Sequence, residues 1–241
     1  MIGLGTLINT GSVIVGGLAG NLFGRFFKEE QQETLRKASG VSVLFIGTAG
    51  AMEGMLTVDG SSVVSGRSML IVLCLVLGAF VGELLGIENW FAALGEWLKR
   101  KTNNTGDPHF TASFMIASLT VCIGAMAIVG SIQDGIYGDY STLAVKSVLD
   151  FIIIAVMTSS MGRGCVFSAL PIFVLEGSMT LLAHFIAPFM TEEALLYLST
   201  VGSILVFCVG MNLVWGKAIR ATNLLPAVVF AVIASHLPIA W

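Results

Sequence analysis

Three side chains in one apolar stretch could do chemistry together. In residues 166–189, VFSALPIFVLEGSMTLLAHFIAPF, Glu176 stands near the middle, and Thr180 and His184 follow at i+4 and i+8. On a helix that spacing puts all three on one face. The stretch has about the length that crosses a bilayer. An ionisable group at that depth is expensive, so it faces a bundle interior or a wet cavity and marks the handling of an ion, a proton or a polar solute. Glu176 is therefore expected to carry a proton or bind a solute. The bland alternative is a neutral carboxyl capped by a neighbouring hydroxyl and used for packing.

Other polar residues interrupt apolar runs. Glu53 lies between Gly50 and Gly54. Asp150 and Thr158 sit two turns apart on one helix face, and Ser159 and Ser160 follow. Such hydroxyls can bind an ion, though bonds across helices are their commoner use. Asn212 is similar. Gln133 and Asp134 fall in GSIQDGIYGD (130–139), whose glycines permit unusual backbone angles, so a re-entrant turn or gate is one reading and an exposed turn the other. Glu83 and Asn21 are explained by snorkelling at a membrane border.

No P-loop, dinucleotide fingerprint, HExxH or nucleophile elbow occurs, and three histidines make a thin supply for an enzyme or a metal centre. No cofactor or catalytic residue is expected. Cys74, Cys122, Cys165 and Cys208 are far apart and read as small apolar fillers.

The elements that must position these groups follow from composition. Of 241 residues, 56% are hydrophobic and 11% charged, well below the roughly 25% charged of soluble domains. The net charge is −3, with no basic stripe, which excludes a nucleic-acid partner. The chain reads as all-α, a polytopic bundle in one membrane domain, 1–241. Eight spans are expected at 3–24, 40–58, 68–87, 110–132, 143–161, 165–189, 193–216 and 223–240, or seven if the region 143–190 is miscounted. Lys and Arg concentrate in the odd loops (Arg25, Lys28, Arg36, Lys37; Lys99, Arg100, Lys101; Arg163; Lys217, Arg220) against Arg67 and Lys146 in the even ones. That bias makes the odd loops cytoplasmic and puts both termini outside. The loops 26–37 and 90–101 are amphipathic and suit a membrane interface or an ordinary solvated connection.

GGLAGNLFG (16–24) and GAFVGELLG (78–86) align at a 62-residue offset. The first half thus reads as two copies, 3–60 and 66–133, of span, interfacial helix and span, followed by a C-terminal half, 143–241. The Gly-x-x-x-Gly faces suit close helix packing, within the chain or in a homodimer.

GAMAIVGSIQDG (124–135), KSVLDF (146–151), FSALPIFVLEGSMTLLA (167–183), VGMNLV (209–214) and TNLLPA (222–227) resemble the YqgA/YdfK-type family of bacterial inner-membrane proteins, classed as a domain of unknown function. The resemblance covers the whole chain. It implies a multi-pass protein of the cytoplasmic membrane, with transport as the suspected role, and it transfers no functional residue. The family pattern leads one to expect Gln where this chain has Glu176. Gln there would favour hydrogen bonding to a solute over proton carriage.

The function these residues point to is a small secondary transporter or channel for a small polar or ionic solute, possibly proton-coupled through Glu176. The expected pathway is lined by Glu176, Thr180, His184, Glu53 and Thr158–Ser160, with Asn212, Gln133 and Asp134 as secondary contacts. The expected partners are the lipid bilayer and the solute. The alternative is a non-transporting scaffold or sensor subunit that binds a partner protein through its interfacial loops.

Overall fold

The structure is a computed structural model that describes residues 2–24, 26–59, 62–216 and 218–238. Arg25 and Lys217, counted above as loop charges, and the end of the last expected span lie outside these residues. The helices, in chain order, are α1 (Leu4–Gly24), α2 (Glu29–Met55), α3 (Ser68–Leu85), α4 (Ile87–Lys101), α5 (Phe110–Cys122), α6 (Ala125–Tyr137), α7 (Ser141–Met161), α8 (Ala169–Leu181), α9 (Ala183–Ile186), α10 (Glu192–Trp215) and α11 (Pro226–Ala234). A small hairpin, β1 (Leu56–Asp59) with β2 (Ser62–Ser65), pairs Leu56 with Ser65. Short 3-10 turns at Arg163–Ser168 and Ala221–Leu224 lead into α8 and α11.

Among the described residues, five stretches are long and apolar enough to cross a membrane: α1, α3, α7, Arg163–Leu181 and α10. The pair α5 and α6, bent by 62°, brings the number to six if it counts as one broken span rather than a re-entrant loop. The outer faces fit a lipid solvent. Along α3, Val72, Val76, Phe80 (68% exposed) and Leu84 (76% exposed) all point outward, a stripe that water would not tolerate. In hydrocarbon each backbone group must be bonded within its own segment, which is why these runs become helices.

The chain divides into two compact units. The first holds Met1–Ser39, Asn89–Cys122 and Met126–Ala187. Here α1 packs on α7 and α8, and α5 packs on α7, α8 and the 3-10 turn before α8. Gly16, Gly20 and Gly24 recur every four residues and lie on the backbone of Phe151, Ala155 and Ser159 in α7. A Cβ at Gly16 would come 2.6 Å from the Phe151 carbonyl oxygen, so glycine is what lets the two helices touch main chain to main chain.

The second unit holds Gly40–Glu88, Ile123–Ala125 and Pro188–Trp241. Its core gathers Leu70 and Cys74 from α3, Tyr197, Val201 and Leu205 from α10, and Ala227 and Ala231 from α11. Gly47, Gly50 and Gly54 of α2 meet Phe207, Ser203 and Thr200 of α10, and Gly78 of α3 meets Ala227. The Gly-x-x-x-Gly faces are thus occupied inside the units. Thr191 caps α10 by accepting a hydrogen bond from the Ala194 amide at 3.1 Å, with Glu192 and Glu193 in the first turn.

The two units share a local device. α7 ends at Gly162 (φ 96°) and α10 at Gly216 (φ 84°), and each left-handed glycine is followed by a 3-10 turn and a further helix. Only glycine takes such angles at no steric cost.

Several expectations need correction. The interfacial segment 26–37 and the span 40–58 belong largely to one continuous helix, α2. The span 110–132 is broken at Ile123–Gly124. GSIQDGIYGD is helical for most of its length: α6 runs through it to Tyr137, as the second arm of the bent α5–α6 pair, and the chain turns at Gly138 (φ 67°). The span 165–189 also breaks, at Leu182, between α8 and α9. Lys146 is no loop charge. It lies inside α7 and is buried.

Candidate functional site

Charged and amide groups converge inside the first unit on α1, α7 and α8. Asn9 (0% exposed) donates through Nδ2 to Glu176 Oε1 at 2.7 Å and to Asp150 Oδ2 at 3.0 Å. Lys146 Nζ pairs with the Asp150 carboxylate one helical turn away, donates to the Val121 carbonyl at 2.9 Å, and lies 3.6 Å from Glu176 Oε1. Glu176 is 1% exposed. One ammonium therefore faces two carboxylates out of water. With all three groups ionised they carry one net negative charge, which is costly to keep buried. Asn9 Oδ1 and Glu176 Oε2 are buried acceptors that have no hydrogen-bond partner.

Each element places its residue for a local reason. Lys146 and Asp150 are i,i+4 on α7, the spacing at which ion pairs form on a helix. Val121 stands in the last turn of α5, where the chain break leaves carbonyls without intrahelical partners. Asn9 can approach both carboxylates because glycines further along α1 hold that helix against α7.

Polar contacts continue toward the start of α1. Thr6 Oγ1 and Thr180 Oγ1 are 3.4 Å apart, and Asp134 Oδ2 accepts the Gly5 amide at 3.0 Å. Asp134 Oδ1 and Ser131 Oγ are buried without a partner. In the opposite direction the next positions are apolar. Val13 follows Asn9 on α1, Ile154 follows Asp150 on α7, and Ile172 precedes Glu176 on α8. All three are fully buried and pack in one cluster with Val121 and Met157. Beyond this apolar plug, Thr158, one turn after Ile154, and Asn21, two turns after Val13, line an open polar cavity of about 440 Å³. Gln32, Asn103, Asn104, Asp107 and Arg163 complete its walls, and Arg163 Nε donates to Asn21 Oδ1 at 3.2 Å.

The structure sorts the sequence candidates. Glu176, Thr180 and Asp134 lie along the buried polar column. Thr158 and Ser159 line the cavity, whereas the Ser159 and Ser160 hydroxyls donate back to carbonyls of their own helix. Gln133 Oε1 accepts from Thr142 at 2.7 Å, a contact that holds the α6–α7 turn. His184 does not share the face of Glu176. The break at Leu182 puts it on α9, where it is exposed. Glu53 and Asn212 belong to the second unit. Glu53 is exposed on α2. Asn212 Oδ1 accepts the Ala218 and Ile219 amides at 2.9 Å, and its Nδ2 donates to the Ile219 carbonyl, so it shapes the turn after α10.

Two members of the network were not singled out from the sequence. Asn9 is an amide in the middle of an apolar span, and Lys146 precedes Asp150 by four residues. Both signals are present, but a lysine near a predicted helix end also fits a loop.

The cavity and plug make one measurement direct. In a cysteine-free background, an impermeant thiol reagent on the cavity side should label Asn21→Cys and spare Ile154→Cys. Equal labelling of both in the resting protein would remove the plug.

Comparison with known proteins places the chain. A protein of unknown function, DUF554, is the family whose model matches residues 4–236. The chain is 26% identical over 223 residues to the "Uncharacterized membrane protein YdfK" of Bacillus subtilis (strain 168), covering 92% of this chain and 91% of that protein. It is 24% identical over 242 residues to the "Uncharacterized protein YqgA" of Escherichia coli (strain K12), covering 99% and 98%. No solved structure matches it. With the family match running from the first helix to beyond the last, and with apolar helices that turn their outer faces to lipid, this chain is a multi-pass membrane protein that belongs to the DUF554 family.

Proposed function

We propose that this protein is a small secondary transporter or channel whose pathway runs through the first unit. The observation that carries the reading is the Lys146–Asp150–Glu176–Asn9 network. It is buried within apolar spans, and it must gain a proton or a cation to reach neutrality. Isolated ionisable groups of this kind mark ion and proton pathways. The broken α5–α6 span beside it is the sort of element that exposes main-chain carbonyls at depth.

The solute is small and polar or ionic, and Glu176 couples a proton or contacts it. The amide-rich cavity serves as the vestibule on the side of the basic loops, Thr6–Thr180 and Asp134 lead away on the other side, and Val13, Ile154 and Ile172 close the path between them. The basic-loop bias supports a cytoplasmic vestibule, with both termini outside. A homodimer would form through the lipid-facing surfaces, because the glycine faces are occupied within the units.

The test is flux into proteoliposomes with a panel of small anions, cations, amino acids and carboxylates, with and without a pH gradient. A solute-dependent flux that Glu176→Gln abolishes, while that variant stays folded, is the expected result. Flux that survives Glu176→Gln would demote the carboxylate to packing.

One observation favours a second reading. α4 exposes Trp90 and Trp97. In a non-transporting scaffold that binds a partner protein, substitutions at Trp90, Trp97 or Lys99 would do greater damage than Glu176→Gln.

A further inference from the structure

The Lys146 ammonium is held as a free ion would be. Its partners are the Val121 carbonyl at 2.9 Å, the Asp150 carboxylate, and Glu176 Oε1 at 3.6 Å. Val121 stands in the last turn of the half-helix α5, so its carbonyl adds the negative end of the helix dipole. Unwound or terminal carbonyls together with carboxylates are the ligands by which broken-helix transporters coordinate alkali ions. Two further acceptors, Asn9 Oδ1 and Glu176 Oε2, are buried beside them without a partner. The groups facing the ammonium are Asp150 on its own helix, Glu176 from α8, Asn9 from α1, and the Val121 carbonyl and Cys122 thiol from α5.

We propose that Lys146 is a tethered cation: its ammonium fills a site that would otherwise take a free alkali ion, so the mobile charge at this site is a proton shared between Asp150 and Glu176. The proposal rests on reading the network as the coupling site, and it names the proton rather than sodium as the coupled ion. Charge counting agrees. With lysine in place, one proton neutralises the one negative charge that remains. Without it, the same carboxylates leave room for one alkali ion as well.

The test is thermal unfolding of the purified full-length protein in detergent, in sodium, potassium or choline chloride at equal ionic strength. Wild type should melt at the same temperature in all three. Lys146→Met reproduces the lysine stem and stops one atom short of the nitrogen. It should melt lower in choline and recover by about 5 °C in saturating sodium or potassium. Lys146→Met with Glu176→Gln should lose that recovery. A sodium-specific stabilisation of wild type overturns the proposal, and so does a folded Lys146→Met that ignores alkali ions. If Lys146→Met cannot be recovered folded in choline but can be in sodium, the alkali dependence is already shown. If it is recovered in neither, the site takes no alkali ion and the proposal fails. The readout needs no flux. An alkali-responsive Lys146→Met in a protein that moves no solute would remove the transport reading and leave the cation site standing.

Discussion

Replacing Asn9 by leucine should destabilise the protein by about 2 kcal/mol or more, because two buried carboxyl oxygens lose their shared donor, and each buried polar group left unsatisfied costs about 1–3 kcal/mol. Asn9 Nδ2 is the donor that Asp150 and Glu176 share, and the residue is fully buried. Without it, two carboxylates lose a donor in a place that water does not reach. The neutral Thr6–Thr180 contact supplies an internal ruler. Neutral hydrogen bonds between membrane helices average about 0.6 kcal/mol, so Thr6→Val should cost only that much. Unfolding of the two variants in detergent checks the pair. If Asn9→Leu is no worse than Thr6→Val, the amide is not a structural member of the network.

The second large effect is steric and has an opposite-signed control on the same helix. A Cβ at Gly20 would collide with the Ala155 carbonyl, and backbone cannot move aside as a side chain can. Gly20→Ala must push α1 away from α7. Overpacking of this kind costs about 1–3 kcal/mol, and here it also pulls Asn9 from its acceptors, so the upper end is expected. At Gly11 a Cβ meets nothing within 4 Å. Gly11→Ala should therefore be neutral or stabilising by up to about 1 kcal/mol through helix propensity. Equal melting temperatures for the two variants would mean that α1 does not lie on α7 as described.

The helices that the sequence marks most clearly are those bounded by length and hydropathy alone. The expected spans 3–24, 68–87, 143–161 and 193–216 lie within a few residues of α1, α3, α7 and α10. The breaks were harder. No proline stands at Ile123–Gly124 or at Leu182, so the run of apolar residues continues through both while the helices do not. The i+4 relation of Glu176 and Thr180 places both on the buried face of α8, but His184 at i+8 needed a helix that ends too soon. Lys146 shows the deeper limit. Its role is set by Glu176, thirty residues away, by Asn9 at the other end of the sequence and by a carbonyl exposed at a break, and none of these leaves a local pattern. Asn212 errs the other way: an amide in an apolar span suggested a solute contact, and it holds a turn.

The plug has an electrical consequence. A transmembrane voltage drops where water is excluded, and the cavity opens to within one turn of Ile154. With the first unit spanning a bilayer, the field falls across the whole water-excluded interior, which holds both Val13, Ile154 and Ile172 and the buried network beyond them. A charge crossing a full potential exchanges about 2.3 kcal/mol per 100 mV. A proton moving between the network and the cavity passes two turns of α7, from Asp150 to Thr158, about 12 Å, and would collect the share of that energy that falls over this distance. The membrane potential would then act on the charged network itself as well as on the aliphatic side chains that separate it from the cavity.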